Sequence, residues 1–186
     1  MNYQNIIEEL TSTLREFFST RAHLFEKAVD RTCECLEKGH KILIFGNGGS
    51  AAQAQHFSAE LINKFLKVRS PFRAIALTTD TSTLTSIGND SSFDFVFSRQ
   101  IEALGDRGDV AIALSTSGNS SNVIEAVNAA KKKGLITIAL TGSGGGKMGS
   151  LPDHLLDVPS ESTPRIQEVH ILLLHLLAGE IEGRLA

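Results

Sequence analysis

The residues of this chain that are best suited to acid–base chemistry lie on two widely separated stretches. His56 and Glu60 are four residues apart, a spacing that places both on one face of a helix. Much later, Gln167, His170 and His175 interrupt a run of leucine, isoleucine and valine residues. Imidazole and carboxylate groups move protons near neutral pH, and they can also act as ligands. Both chemistries require that the two stretches meet in space.

Each of these residues also has a plainer structural interpretation. A histidine–glutamate pair at i,i+4 is usually a solvated pair that contributes roughly a few tenths of a kcal/mol. Gln167 and His175 are eight residues apart and lean toward the same side of a buried helix, whereas His170 points elsewhere and is predicted to be a hydrogen-bonded core histidine. Spacing alone leaves open whether His175 is a ligand, an acid–base group or a core residue.

A glycine-rich loop follows the first predicted strand and opens a helix. Its sequence, GNGGSA over residues 46–51, formally matches the dinucleotide fingerprint G-x-G-x-x-A. That fingerprint also needs an acidic residue about 20 positions further on, at the end of the second strand. Here the second strand ends in Thr78 and Thr79, and Asp80 lies 34 positions after Gly46. An NAD-dependent enzyme is therefore a disfavoured alternative, and no nucleotide cofactor is expected.

A second loop is rich in hydroxyl groups. Ser115, Thr116, Ser117 and Ser120 lie within the segment STSGNS, which comes after another predicted strand and before a helix. Simple N-capping would use only one of these hydroxyls. Several hydroxyl and amide donors at a helix N-terminus instead favour a bound anion of phosphate size.

The positions of these loops follow from an alternation of apolar runs and helical stretches. Apolar runs of strand length, typical of strands buried on both faces of a parallel sheet, cover residues 41–45, 73–77, 109–114, 135–140 and 154–158. Helical patterns cover residues 3–38 (as one helix or two), 49–66, 81–103, 120–133, 144–149 and 163–184. This order predicts an α/β fold, a doubly wound parallel sheet flanked by helices. We expect the chain to form a single domain, residues 1–186, with an N-terminal helical segment (1–38) and an α/β core (39–186).

The composition excludes several classes of function. The 186 residues include 18 basic and 21 acidic side chains, and the net charge of −3 offers no electrostatic footprint for nucleic acid. No apolar stretch reaches the roughly 18 residues of a membrane span. Residues 1–9 lack the basic start and apolar core of a signal peptide. We therefore expect a cytoplasmic protein that binds neither nucleic acid nor membrane.

Four motifs together resemble the sugar isomerase (SIS) domain family, and within it most closely the phosphoheptose isomerases. They are GNGGSAAQAQHFSAEL (46–61), GND (88–90), STSGNS (115–120) and RIQEVHILLLH (165–175). The resemblance covers essentially the whole chain. It implies a five-stranded, flavodoxin-like parallel sheet. It also implies a homotetramer, assembled with the help of the N-terminal helices, whose active sites lie between subunits.

The resemblance further implies a reaction. Phosphoheptose isomerases convert sedoheptulose 7-phosphate to D-glycero-D-manno-heptose 7-phosphate through an enediol, and the product feeds lipopolysaccharide or other surface-sugar synthesis. Glu60 and His175 match the catalytic acid–base pair. Zinc, which some members bind, would have the ligands His56, Glu60, Gln167 and His175. The residues that match substrate contacts are Asn47, Gly48, Gly49, Glu60, Asn89, Asp90, Ser115, Thr116, Ser117, Ser120 and Gln167.

A sister group of the family keeps the glycine loop and the RIQE motif but binds the replication initiator instead of catalysing a reaction. Its members lack the equivalents of Glu60 and His175, and both residues are present here, which favours the enzyme. Lys64 stands where relatives often carry arginine, and lysine keeps the charge without the bidentate fork. The sequence does not decide whether Lys64 contacts the substrate or whether Glu60 or His175 is the carbon base. It also leaves open the zinc occupancy and the anomer of the product.

Overall fold

The apolar runs form a five-stranded parallel sheet, and the helical stretches cover both of its faces. The computed structural model describes residues 2–186. The helices are α1 (Tyr3–Glu37), α2 (Gly49–Ile62), α3 (Thr81–Asp90), α4 (Ser98–Leu104), α5 (Ser121–Lys133) and α6 (Thr163–Leu185). The strands are β1 (Ile42–Gly46), β2 (Ala74–Ala76), β3 (Val110–Ser115), β4 (Ile136–Thr141) and β5 (His154–Asp157). The order β2-β1-β3-β4-β5, parallel throughout, is flavodoxin-like and confirms the predicted fold class.

Successive strand residues point to opposite faces of the sheet, and both faces are covered. Ile42 and Ile44 of β1 face an apolar layer that includes residues of α1, α2 and α6. Leu43 and Phe45 face a second layer that includes residues of α4 and α5. Every residue of β1 and of β3 is buried. Burial on both sides explains why the strand sequences show no polar alternation.

The N-terminal segment forms one long helix. α1 runs unbroken for 35 residues and packs against α6. Arg21 of α1 also binds the last residue of β5, since its Nε and Nη2 donate to the two carboxylate oxygens of Asp157 at 2.7 and 2.9 Å. Neither α1 nor any other helix within residues 2–186 is long and apolar enough to cross a membrane.

The prediction of one helix over residues 81–103 is wrong. α3 ends at Asp90, a 3-10 turn follows over Phe93–Phe95, and α4 begins at Ser98. Ser92 has extended backbone angles, and its hydroxyl accepts a hydrogen bond from the backbone N–H of Asp94 at 3.1 Å. A serine side chain that caps a new turn competes with helix continuation, which explains the break.

The prediction of a helix over residues 144–149 is also wrong. Gly144, Gly145 and Gly146 have φ values of 72°, 73° and 56°, which lie in the left-handed region. Three successive left-handed residues are accessible to glycine but incompatible with a right-handed helix. The segment Ser143–Met148 is instead an irregular 3-10 loop, which we call the triple-glycine loop.

Candidate active site

Three side chains from α2 and α6 converge, and we call them the triad: His56, Glu60 and His175. The Nε2 atoms of His56 and His175 lie 2.9 Å apart, and His56 Nε2 lies 3.2 Å from Glu60 Oε1. His56 and Glu60 share a face of α2 as their spacing predicts. Their meeting with α6 depends on packing between residues 119 positions apart in the sequence. The structure therefore brings the two chemically suited stretches together.

The hydrogen-bond chemistry of the triad restricts where its protons sit. Two imidazole nitrogens in contact can hydrogen-bond only when one carries a proton and the other offers a lone pair. The carboxylate of Glu60 accepts but does not donate. Both contacts are satisfied when His56 Nε2 carries a proton that it shares between Glu60 Oε1 and His175 Nε2, and this proton must leave before the same nitrogen can bind a metal. His175 Nε2 then presents a lone pair to the triad, as a base or a metal ligand requires.

The surroundings of the triad hold the imidazole rings while leaving an open side. The half-buried ring of Phe65 stacks on His175 with a centroid distance of 5.5 Å and an interplanar angle of 21°. The His56 ring meets His175 edge-on, at 5.1 Å and 64°. The side chains of His56 and Glu60 are 47% and 20% exposed, so a small molecule can reach both.

The triad has donor atoms that suit zinc. Its two imidazole nitrogens and one carboxylate oxygen lie within 4.8 Å of one another. Ligands around a tetrahedral zinc are about 3.3 Å apart, a value close to the observed nitrogen–nitrogen and nitrogen–oxygen separations. Three protein ligands and an open fourth position form the pattern of a catalytic zinc site. His56, Glu60 and His175 therefore fit this metal.

Gln167 lies nearer the N-terminal end of α6 than His175 does. It precedes His175 by eight residues, or about 12 Å of helix axis. Its side chain packs on the N-terminal end of α2, where a Cβ on Gly49 would come within 2.5 Å of Gln167 Nε2. Gln53 Nε2 donates to the backbone oxygen of Gln167 at 2.7 Å. Gln167 as a fourth zinc ligand and substrate contact therefore stays a prediction.

His170 is a core residue, as its position on α6 predicts. It is fully buried, and its Nε2 lies 3.1 Å from the backbone oxygen of Thr141. Because a carbonyl oxygen only accepts, the proton sits on Nε2. Nδ1 has no hydrogen-bond partner in the described part of the chain. The predicted hydrogen bonding of this core histidine is therefore met at Nε2 but not at Nδ1. Burial lowers the pKa of His170 to about 4, which keeps the ring neutral at pH 7.

The glycine-rich loop after β1 and the start of α5 are joined by two amide side chains. Asn47 Nδ2 donates to Asn122 Oδ1 at 2.8 Å, and Asn122 Nδ2 donates back to Asn47 Oδ1 at 2.9 Å. Asn122 is buried, and sequence reasoning missed it. Gly48 has a φ of 55°, a left-handed conformation that favours glycine. The two loops meet between β1 and β3, the switch point where flavodoxin-like sheets bind ligands.

The hydroxyl-rich loop after β3 borders a polar cavity. Ser117 Oγ accepts from the backbone N–H of Asn119 at 3.1 Å, and the hydroxyls of Ser115 and Ser120 lie 3.3 Å apart. The cavity has a volume of about 290 Å³ and opens at the N-terminal end of α6; it is lined by Thr116, Ser117, Asn119, Ser143, Ser160, Glu161, Thr163 and Ile166. Hydroxyl donors near helix N-termini suit a phosphate group.

The triple-glycine loop packs against the backbone of the hydroxyl-rich loop and hydrogen-bonds to it. Asn119 Oδ1 accepts from the backbone N–H of Lys147 at 3.0 Å, and Gly118 O accepts from that of Met148 at 3.0 Å. The two backbones are so close that a Cβ on Gly118 would lie 2.0 Å from Gly145 O. The shape of the predicted phosphate site therefore depends on both loops.

The remaining predicted sugar contacts are not brought to the triad. Asn89 and Asp90 occupy the exposed C-terminal end of α3, where Asn89 Nδ2 donates to Asp90 Oδ1 at 2.8 Å. Within residues 2–186 neither side chain forms a hydrogen bond to the triad or to the hydroxyl-rich loop. Their role as sugar ligands stays a prediction.

Comparison with known proteins identifies the family. Residues 5–142 match the SIS domain. A phosphoheptose isomerase from Campylobacter jejuni is 58% identical over 156 residues, which are 84% of each chain. The phosphoheptose isomerase structure from Neisseria gonorrhoeae has a TM-score of 0.92 at 46% identity, over 97% of both chains. That from Francisella tularensis has a TM-score of 0.93 at 36% identity, over 99% of this chain and 100% of its own. The chain therefore belongs to the SIS domain family and groups there with the phosphoheptose isomerases.

Proposed function

We propose that this chain isomerises sedoheptulose 7-phosphate to D-glycero-D-manno-heptose 7-phosphate. The convergence of His56, Glu60 and His175 between α2 and α6 carries the proposal. The names of the similar proteins support the same reaction. They do not favour an initiator-binding or NAD-dependent protein. We place the enzyme in the cytoplasm, where its product would feed the synthesis of lipopolysaccharide or other surface sugars.

The reaction moves protons without any net oxidation. A base removes a proton from C1 of the ketose while the C2 oxygen gains one, which forms the enediol; the C1 hydroxyl then loses its proton and C2 gains one. We assign the carbon proton to Glu60, whose carboxylate can carry it from C1 to C2. We assign the oxygen protons to His175, whose Nε2 lone pair faces the triad. The exchanged assignment uses the same two groups.

The phosphate end of the sugar would bind the hydroxyl-rich loop. Ser115, Thr116, Ser117 and Ser120 would donate hydrogen bonds, as would amides at the N-terminus of α5. Asn47, Gly48 and Gly49, together with Asn89 and Asp90, would contact the sugar. Anchoring the phosphate orients the open-chain sugar, so these residues serve binding rather than proton transfer.

We further propose that the triad holds one zinc ion, with Gln167 as a fourth protein ligand that would give up its position to the substrate. When bound, zinc supplies Lewis-acid polarisation of the substrate carbonyl. A group whose lone pair is donated to a metal is a weaker base. Glu60 or His175 would therefore need to leave the metal, or share it, while it moves a proton.

Removal of the metal tests both the reaction and the zinc site. We expect sedoheptulose 7-phosphate to be converted by the protein as prepared. After chelation and dialysis, kcat/KM should fall about tenfold or more, because carbonyl polarisation is lost. One equivalent of zinc per chain should restore it. Full activity at negligible metal content would remove zinc from the proposal, and no conversion under any condition would reject the isomerase.

Exposed apolar residues that lie close in sequence to Glu60 and His175 suggest that a second copy of the chain completes the site. Leu66 and Val68 are 77% and 91% exposed, and Ile62 and Leu176 are also exposed. Neighbouring exposed apolar residues of this kind mark interaction surfaces. We propose a homotetramer, assembled with the help of α1, whose active sites combine residues of two copies.

Mixed oligomers test the shared active site. Glu60→Gln should inactivate the triad, and Ser117→Glu should repel the substrate phosphate through like charge. Co-expression with different purification tags isolates oligomers that contain both variants. When the triad of one copy works with the hydroxyl-rich loop of another, about one quarter of the sites in a random equal mixture carry both intact parts and regain activity. A mixture no more active than the average of the two pure variants would contradict shared sites.

A further inference from the structure

A buried carboxylate lies on α6, seven residues after His175. Glu182 is 1% exposed. Its oxygens accept hydrogen bonds from three successive backbone N–H groups beyond α2, at 2.7, 2.8 and 2.9 Å, those of Phe65, Leu66 and Lys67. Arg69 Nε also donates to it, at 3.1 Å. Burial alone would raise the pKa of Glu182, but these hydrogen bonds and the charge of Arg69 lower it to about 2.

The guanidinium of Arg69 ends helix α2. Its Nη2 donates to the backbone oxygen of Glu60 and its Nη1 to that of Leu61, each at 2.7 Å. The side chain is almost fully buried and lies over the ring of Phe72, 4.2 Å from its centroid. Carbonyl groups in the last turn of a helix need donors from outside the helix. Arg69 supplies them, so α2 stops at Ile62 rather than at residue 66 as predicted.

The same carboxylate places an aromatic ring on His175. The N–H of Phe65 binds Glu182, and the Phe65 ring stacks on the imidazole of His175. Gly179, one turn beyond His175 on α6, lies beside this ring, and a Cβ there would be in ordinary van der Waals contact with Phe65 Cε1 at 3.6 Å. Glu182 therefore acts on His175 through Phe65.

We propose that Arg69 and Glu182 form a positioning pair for proton transfer, an inference that rests on the proposed isomerase function. The pair links the C-terminal end of α2, which carries Glu60, to α6, which carries His175. Within residues 2–186 neither member hydrogen-bonds a side chain of the triad, so both act through intervening groups. Charged hydrogen bonds to several partners are directional, so they fix the relative position of the groups that they join.

Glu182→Gln tests the pair. Glutamine keeps the size of the side chain but replaces one acceptor oxygen with a donor, which then faces N–H groups and a guanidinium. The segment with Phe65 should shift and misalign His175 relative to Glu60. We expect kcat to fall by about 10- to 100-fold, the size of effect that small misplacements produce, with KM within about threefold. A folded variant whose kcat falls less than tenfold overturns the proposal.

Asp109→Asn is the matched control. Asp109 is also 1% exposed, and it accepts from two backbone N–H groups, those of Lys41 at 2.9 Å and Asp106 at 2.7 Å. It pairs with the Lys41 ammonium group at 2.6 Å. This cluster lies where β1 and β3 begin, away from the triad. The control should lower the thermal midpoint much as Glu182→Gln does while kcat is unchanged. An equal fall of kcat in both variants would show general destabilisation and overturn the proposal.

A second variant and a spectroscopic signal keep the inference testable apart from activity. Phe65→Leu retains apolar bulk but removes the stacked ring. If Glu182→Gln does not fold, a decrease of kcat by less than tenfold in Phe65→Leu overturns the proposal instead. In ¹³C-edited NMR, the imidazole signal of His175, assigned by its loss in His175→Asn, should broaden or split in both variants and stay single in Asp109→Asn. An unchanged signal in both overturns the positioning role. This readout holds even if the chain does not convert the sugar, an outcome that would reject the proposed function alone.

Discussion

Replacement of Glu60 by glutamine is expected to reduce kcat for sedoheptulose 7-phosphate by about 10²- to 10⁴-fold. The amide is nearly isosteric with the carboxylate but does not take up a proton at neutral pH. Substrate affinity, measured by calorimetry, should change by less than about threefold, because the hydroxyl-rich loop is untouched. A lost kcat with retained binding is the pattern of a group that acts in the transition state rather than in substrate binding, as a proton-transfer group does.

Two measurements guard the interpretation of this variant. Glu180→Gln is the matched control, since Glu180 is an exposed glutamate on α6 that pairs with Arg184 at 3.1 Å; its kcat should equal that of the unmodified protein. The zinc content of Glu60→Gln should be measured as well, because the same carboxylate is a proposed metal ligand. Near-normal turnover by Glu60→Gln at full metal content would reject the assignment.

Replacement of Gly118 by alanine is expected to disable substrate binding and to destabilise the fold. Gly118 has a φ of 63°, and its new Cβ would lie 2.0 Å from the backbone oxygen of Gly145. The left-handed conformation costs about 1–2 kcal/mol for alanine, and the contact with rigid backbone adds to this cost. If the free energy of unfolding decreases by about 3 kcal/mol in total, the melting temperature should fall by about 6–12 °C. KM should rise by about tenfold or more, as the predicted phosphate loop moves away from the triple-glycine loop.

Gly39→Ala separates the two causes. Gly39 has a similar φ of 77°, but nothing lies within 4 Å of the added Cβ. The melting temperature should therefore fall only by the conformational cost of about 1–2 kcal/mol, which corresponds to about 2–8 °C, and KM should not change. Equal effects of Gly39→Ala and Gly118→Ala on KM would contradict the packing argument.

The sheet could be predicted from the sequence because its strands are buried on both faces. Such strands are continuous apolar runs, and their ends are marked by glycine, serine and threonine residues. The first apolar run covers residues 41–45, and the strand that it predicts forms as β1 at Ile42–Gly46. Helix breaks were less predictable, because the Ser92 cap and the three left-handed glycines depend on local backbone geometry that residue periodicity does not report.

The candidate site could be predicted only in part. The i,i+4 spacing of His56 and Glu60 indicates a shared helix face, but only family resemblance linked them to His175. Asn122 gave no signal, because asparagine in the first turn of a helix is usually a capping residue. Arg69 and Glu182 look like ordinary surface charges in sequence. Their burial becomes visible only when α6 packs against the segment after α2.

The proton-transfer candidates lie on helices, whereas the candidate phosphate-binding groups lie on loops that follow strands. Residues fixed by two packed helices tolerate little change, while loops of different length and composition can be grafted onto the same strands. Reprogramming the enzyme for phosphosugars of other chain lengths should therefore begin with the segments after β1, β3 and β4. Such engineering would keep the proton-transfer residues unchanged and vary only the substrate that is placed beside them.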